Sequence, residues 1–264
     1  MQRGSEHLVR LLAIACAAFL AAPVSARPRS GGSVSVQAEA RRWRAGLDAD
    51  VQAGTATIPG TRINLDVDLN IDQMQEADDL RVSFIASGTV YHLSHVRLTH
   101  DGTNVLSKPI TFLGLTYTAS TQVESRLRVE LTDAMVERPI SLMRLPRGGV
   151  AWLAGFRRVD VDGRLQGAGE LREEKVDEWV PQVGAGFRTG LPKDYEIRGR
   201  IFGVVASSGD IDGDMLDWEA GLFWRRGGFS IGGGYRKLTL DVEHDDVELD
   251  LEYAGTWFGG ALAF

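Results

Sequence analysis

The chain is nearly free of cysteine. Its only one, Cys16, sits in an apolar run near the amino terminus, so no disulfide staples the remainder and no thiol chemistry is available to it. Basic residues are also in the minority: 29 Lys and Arg against 36 Asp and Glu give a net charge of −7, a balance that speaks against nucleic acid as a partner. Long apolar runs are missing as well. Beyond residue 26 nothing approaches the ~20 apolar residues that a spanning helix needs, so a membrane-resident form of this chain has to be a closed β-barrel.

What is present begins with a targeting segment. Arg3 and Arg10 precede the apolar stretch 11–22, and Pro23-Val24-Ser25-Ala26 supplies a small-x-small end; these features predict a secretory signal over 1–26, cleaved after Ala26. A lipoprotein would need Cys16 as its first mature residue, but Ala17 to Val24 carry the apolar stretch past it. Cleavage removes two basic residues and one acidic residue, which takes the charge to −8. Residues 27–38 are small and polar and read as a flexible periplasmic leader, with the folded unit over 39–264.

Within that unit the apolar residues recur with period two, the signature of strands with two unlike faces. The last stretch shows it best: Val247, Leu249, Leu251 and Tyr253 alternate with Glu248, Asp250 and Glu252, and Phe258, Leu262 and Phe264 continue on the other parity. The change of parity predicts a β-bulge near Gly255. Similar alternation recurs through the chain in strands of ~9–13 residues, the length that crosses a bilayer at a tilt. Short Pro- or Gly-containing turns at 145–149, 191–194 and 225–228 contrast with longer acidic connections at 160–177, 207–214 and 241–246. Aromatic residues near strand ends, Trp43, Trp152, Trp179, Tyr195, Trp218, Trp224 and Phe264, match an interfacial girdle. The expected fold is all-β, an antiparallel transmembrane barrel of about ten strands, with eight as the smaller alternative. A soluble β-sandwich or lipocalin-like barrel would use the same apolar faces as its core. The segments 54–79 and 109–118 are not assigned to either.

The signal segment, Asp66 to Ile71 (D-x-D-L-x-I), Val96 to Gly102, and the ending from Tyr253-Ala254-Gly255 to Phe264 resemble small bacterial outer-membrane β-barrel proteins of no assigned activity. The resemblance implies an outer-membrane location, contact with membrane lipid and lipopolysaccharide, and an assembly signal formed by Phe258, Leu262 and Phe264 for the barrel-assembly machinery. It implies no cofactor.

If apolar faces meet lipid, the charged faces line the lumen. That reasoning assigns to the lumen Arg42, Arg44, Asp48 and Asp50; Arg81, His95 and Arg97; Glu124, Arg126, Arg128 and Glu130; Arg157 and Arg188; and Glu196, Arg198, Arg200, Asp217 and Glu219. Mutual neutralisation would plug the barrel, because an unpaired buried charge is costly. The expected role is then structural, or binding through the outer loops. A porin-like, narrow anion-leaning channel is the second possibility, and an outer-membrane enzyme acting on lipid A or peptides the third. His92 and Ser94 share a face and, as a His-x-Ser pair on the barrel exterior, resemble the catalytic pair of outer-membrane lipid A deacylases, although the pair falls toward the inner leaflet. His100-Asp101, with Asp48 and Asp50 near, resembles the outer rim of barrel proteases. Asp210, Asp212 and Asp214 resemble the start of a calcium loop, but Met215 and Gly221 stand where its glycine and final acid belong; a divalent cation at the acidic loops is the partner this suggests.

Overall fold

Ladders of alternating residues close on themselves in the computed structural model, which describes residues 34–145, 147–208, 211–244 and 246–264. The elements in order are β1 (Ser35–Ala53), β2 (Arg62–Asn64), the short helix α1 (Leu65–Leu69), β3 (Met74–Ala86), β4 (Thr89–Val105), β5 (Ile110–Phe112), β6 (Leu115–Tyr117), β7 (Gln122–Leu145), β8 (Gly148–Gly167), β9 (Glu170–Gly190), β10 (Tyr195–Ser208), β11 (Ile211–Arg226), β12 (Phe229–His244) and β13 (Val247–Ala263). Ten of these strands, all but β2, β5 and β6, form one antiparallel barrel. It closes where β13 pairs with β1 from Gln37↔Ala263 to Ala53↔Val247. The expected signal 1–26 and the first residues of the expected leader, 27–33, lie outside the described residues. β1 starts at Ser35 rather than at 39.

The strands are longer than a bilayer requires. The acidic stretches 160–177, 207–214 and 241–246, expected as loops, mostly continue the ladders of β8–β9, β10–β11 and β12–β13. The long connections are instead 54–73 and 106–121. The first carries β2 and α1, and the second carries the hairpin β5–β6. They fold over the mouth opposite the chain ends and tie to each other, with Thr61 N–H donating to the Thr111 carbonyl at 2.9 Å. Ile110, Phe112 and Tyr117 bury their side chains there, which explains the apolar character of 109–118.

Polarity inverts along the barrel height. Toward the chain ends the outward residues are apolar: Leu80, Val82, Phe84, Leu93, Val183, Ile201, Leu222, Ile231, Phe258 and Leu262 are all exposed. On β9 this belt runs from Trp179 to Phe187, about 26 Å along the strand at ~3.3 Å per residue and about 20 Å along the barrel axis after a ~40° tilt, close to the lipid-facing band of outer-membrane barrels. Beyond the belt the outward residues are charged, and the inward ones, such as Leu47, Leu98, Val129, Val161, Leu240 and Leu251, are buried and apolar. The parity changes at Tyr235/Leu238 and Tyr253/Phe258 mark this boundary. No bulge occurs there, since β12 and β13 pair without a break from Phe229↔Leu262 to His244↔Val247. Gly255 is required for another reason: a Cβ on it would stand 1.8 Å from the Arg44 carbonyl oxygen.

One seam interrupts the wall. β9 pairs with β8 along its length, but with β10 only as far as Val183↔Gly203. Pro181, which has no N–H to give to a ladder, lies just past that last pair.

Candidate functional site

The inversion sorts the predicted lumen residues into two sets. Arg81, Arg157, Arg188, Glu196, Arg198, Arg200, Asp217 and Glu219 lie in the belt half and point inward. Arg42, Arg44, Asp48, Asp50, His95, Arg97, Glu124, Arg126, Arg128 and Glu130 point outward instead, because their segments stand above the belt, where the exterior meets water and the apolar partners turn inside. Their ion pairs are therefore on the outer surface: Arg42 with Asp78 at 2.8 Å, Arg97 with Glu130 at 2.7 Å, and Arg126 with Asp101 at 2.5 Å. Of the expected girdle, Trp179 and Tyr195 are exposed, but Trp43 is fully buried in the lumen.

Sequence reasoning missed Glu39, Arg41, Asp79, Asp133, Gln182 and Arg236, all buried. They complete a cross-lumen network. Arg157 donates to Asp133 at 2.5 Å and to Asp217 at 2.8 Å. Arg236 grips both oxygens of Asp217 at 3.0 and 2.7 Å and reaches Asp79 at 3.2 Å. Arg41 bonds Glu219 at 2.8 Å and also Asp79, while Arg81 and Arg200 converge on the same Glu219. Gln182 donates to Asp133 at 3.0 Å. Five guanidinium groups (41, 81, 157, 200, 236) face five carboxylates (39, 79, 133, 217, 219), so the charges cancel. That cancellation is what lets so many ions leave water. Above them Arg236 lies over the Trp43 ring at 4.7 Å, Trp43 meets Tyr253 edge-on at 6.2 Å, and Tyr253 packs on His100 at 5.6 Å. Ions below and aromatic rings above fill the section between the two ends. In the belt half, glycines make room for Trp257, whose ring lies under the Arg41 guanidinium at 4.9 Å: a Cβ on Gly221 or Gly234 would strike that ring at 2.4 or 2.7 Å.

A cavity lies on each side of this filling. Toward the capped mouth is a space of about 70 Å³ lined almost wholly by apolar side chains, among them Ile63, Phe112, Leu127, Val161 and Leu249. Toward the chain ends is a wider vestibule of about 560 Å³ whose mixed walls include Arg81, Arg188, Arg198, Arg200, His92 and Glu137.

The vestibule holds a hydrogen-bonded chain across β3, β4 and β7. Ser83 Oγ lies 2.8 Å from His92 Nδ1, and His92 Nε2 lies 3.0 Å from Glu137 Oε2. The carboxylate can only accept, so Nε2 carries the proton of the neutral ring and Nδ1 accepts from the Ser83 hydroxyl. Arg188 holds the other oxygen of Glu137 at 3.2 Å. His92 was expected beside Ser94 on the lipid face. Both residues point into the lumen instead, and the Ser94 hydroxyl donates to Asp133 at 2.9 Å.

The outer-rim pair does not form. His100 is fully buried, with Nδ1 2.6 Å from the Asp72 carbonyl oxygen, while Asp101 faces outward to Arg126. Of the three aspartates considered for calcium, Asp210 lies outside the described residues. Among the described residues no group of three or more acidic, His or Cys side chains is arranged to hold a metal ion.

No family model and no curated protein matches the chain. Among solved structures, the outer membrane protease OmpT from Escherichia coli superposes with a TM-score of 0.54 at 8% identity, covering 89% of this chain and 99% of that one. The transport unit of the autotransporter AIDA-I from Escherichia coli gives 0.39 at 9% identity, covering 95% and 96%. Ail of Yersinia pestis gives 0.34 at 11% identity, covering 87% and 99%. At 8% identity the likeness to OmpT is one of fold alone. The closed ten-stranded barrel and its apolar belt define the class: an integral β-barrel of the bacterial outer membrane.

Proposed function

We propose that this protein is a closed, non-conducting barrel that works as a structural or binding platform at its capped outer end. The observation that carries this reading is the cross-lumen contact of Arg157 with Asp133 and Asp217, within a neutral layer backed by Trp43 and Tyr253. An ion entering that layer would have to displace charge-assisted bonds, and the packed rings of Trp43 and Tyr253 narrow the path above it. Short turns and the chain ends share one side, the periplasmic side in such barrels, which directs the capped half outward. That half carries a charged exterior at the level of lipopolysaccharide head groups, and loops 54–73 and 106–121 form its top. Phe258 and Leu262 on one face of β13, with Phe264 just past its end, are all exposed and serve as the surface read during assembly.

Planar-bilayer recording of the refolded barrel tests the proposal. The expected trace shows no unitary steps. Regular steps with anion preference would replace this reading with the narrow-channel one.

A further inference from the structure

Ser83, His92 and Glu137 form a chain that the platform role does not use, and it opens on a cavity of small-molecule size. We propose that it is a hydrolytic site, with Ser83 as nucleophile, His92 as general base and Glu137 as the group that orients the imidazole. The geometry meets the two requirements for an activated hydroxyl: a base within hydrogen-bond reach of the nucleophile, at 2.8 Å, and a carboxylate fixing that base, at 3.0 Å. The two ring nitrogens are used in the reverse of the serine-protease order, but the proton path is the same. All three residues are placed by strand register. Ser83 and His92 are direct partners in the β3–β4 ladder, and Glu137 pairs with Val90, two residues from His92 on the same face.

The surroundings select the substrate. Arg81, two residues from Ser83 on the same inward face, lines the vestibule together with Arg188, Arg198 and Arg200. Guanidinium groups suit an oxyanion and an anionic substituent. The inferred substrate is therefore a small ester whose acyl part carries a carboxylate. Ser83 Oγ bonds to the ester carbonyl carbon as its proton passes to His92 Nδ1. The carbon–alkoxy bond then breaks, and His92 returns that proton to the departing alkoxide. Water, deprotonated by His92, attacks the acyl-serine and releases the acid, restoring the Ser83 hydroxyl. No oxidant or further reactant is needed.

The chain could instead be only a set of polar neighbours holding three strands together, and one experiment separates the two. Refolded protein in detergent is first checked for the heat-dependent gel shift of a closed barrel. It is then treated with a fluorescent fluorophosphonate and assayed with 4-nitrophenyl hemisuccinate and 4-nitrophenyl acetate. The site predicts labelling, with the hemisuccinate turned over faster than the acetate. Ser83→Ala, still heat-modifiable, loses the label and at least ~100-fold of the rate, the scale of base-assisted catalysis; Glu137→Gln keeps the label site but slows turnover. His95→Ala, on the outer surface, changes neither. Folded wild-type protein that neither labels nor exceeds Ser83→Ala in rate overturns the inference, and so does labelling that survives Ser83→Ala. Neither result bears on whether the barrel conducts.

Discussion

Arg157 on β8 and Asp217 on β11 meet at 2.8 Å although two other strands, β9 and β10, separate them in the barrel wall. The contact spans the lumen, and the same guanidinium also holds Asp133 on β7. Removing one partner from such a buried set strands the others without water, at a cost of about 3–5 kcal/mol. Arg157→Ala should therefore lower the temperature of the heat-dependent gel shift well below that of the wild type. Arg97→Ala should leave it unmoved, because Arg97 meets Glu130 on the wet outer surface, where ion pairs contribute little. Equal effects of the two substitutions would contradict the assignment of inside and outside.

That assignment is where the sequence is least informative. Period-two alternation says that two faces differ, and it was legible in nearly every strand, as was the barrel itself. It does not say which face meets which medium. In the belt, lipid outside draws Val183 and Leu222 outward and leaves Arg157 and Asp217 within. Above the belt, water outside reverses the rule, so Arg126 and Glu130 turn outward and Leu127 and Val129 fill the lumen. The reversal shows in the sequence at Tyr235/Leu238 and Tyr253/Phe258, but a bulge explains the same pattern locally. Only the unbroken ladder of β12 and β13 decides between them. The Ser83–His92–Glu137 chain was hidden differently: its members lie on three strands, and register alone brings them together.

The belt makes a prediction of its own. Val183 lies midway along it on β9 and points outward with 67% of its surface open. An arginine at the middle of the lipid-facing band costs ~2–4 kcal/mol, so Val183→Arg should refold poorly into phosphatidylcholine vesicles, read by the fraction of heat-modifiable protein. Thr99→Arg, on the outward face of β4 above the belt, should refold like the wild type.

The cap should fail locally rather than globally. Phe112 is buried beneath the hairpin β5–β6 and lines the small apolar cavity, but the hairpin is not part of the barrel ladder. Phe112→Ala therefore weakens a unit that opens on its own. Limited proteolysis should cut within 54–73 or 106–121 at least several-fold faster than in the wild type, while the heat-dependent shift of the barrel stays where it was. A matching loss in barrel stability would show that the cap and the wall unfold together.

Above the belt, four outward aspartates stand side by side on adjacent strands: Asp50 opposite Asp250, Asp250 opposite Asp241, and Asp241 opposite Asp214. Arg62 of β2 serves one end of this row, bonding Asp250 and lying 3.5 Å from Asp50. Among the described residues no cation pairs with Asp241. Partial burial, followed by Asp214 and Asp250, raises its carboxyl above the usual aspartate value. A raised carboxyl means that the native state holds this proton more tightly than the unfolded chain does. Its contribution to stability is therefore greatest below the unfolded value of ~3.9 and is lost as the pH rises through the folded value. At neutral pH the row is repulsive, and like charges directly opposite one another cost ~0.2–1 kcal/mol. Asp241→Asn should accordingly raise the midpoint of the heat-dependent gel shift at pH 7, and the gain should shrink as the pH falls through the raised carboxyl value and the wild-type side chain takes up its proton. A gain that persists unchanged at low pH would assign the effect to packing and not to charge.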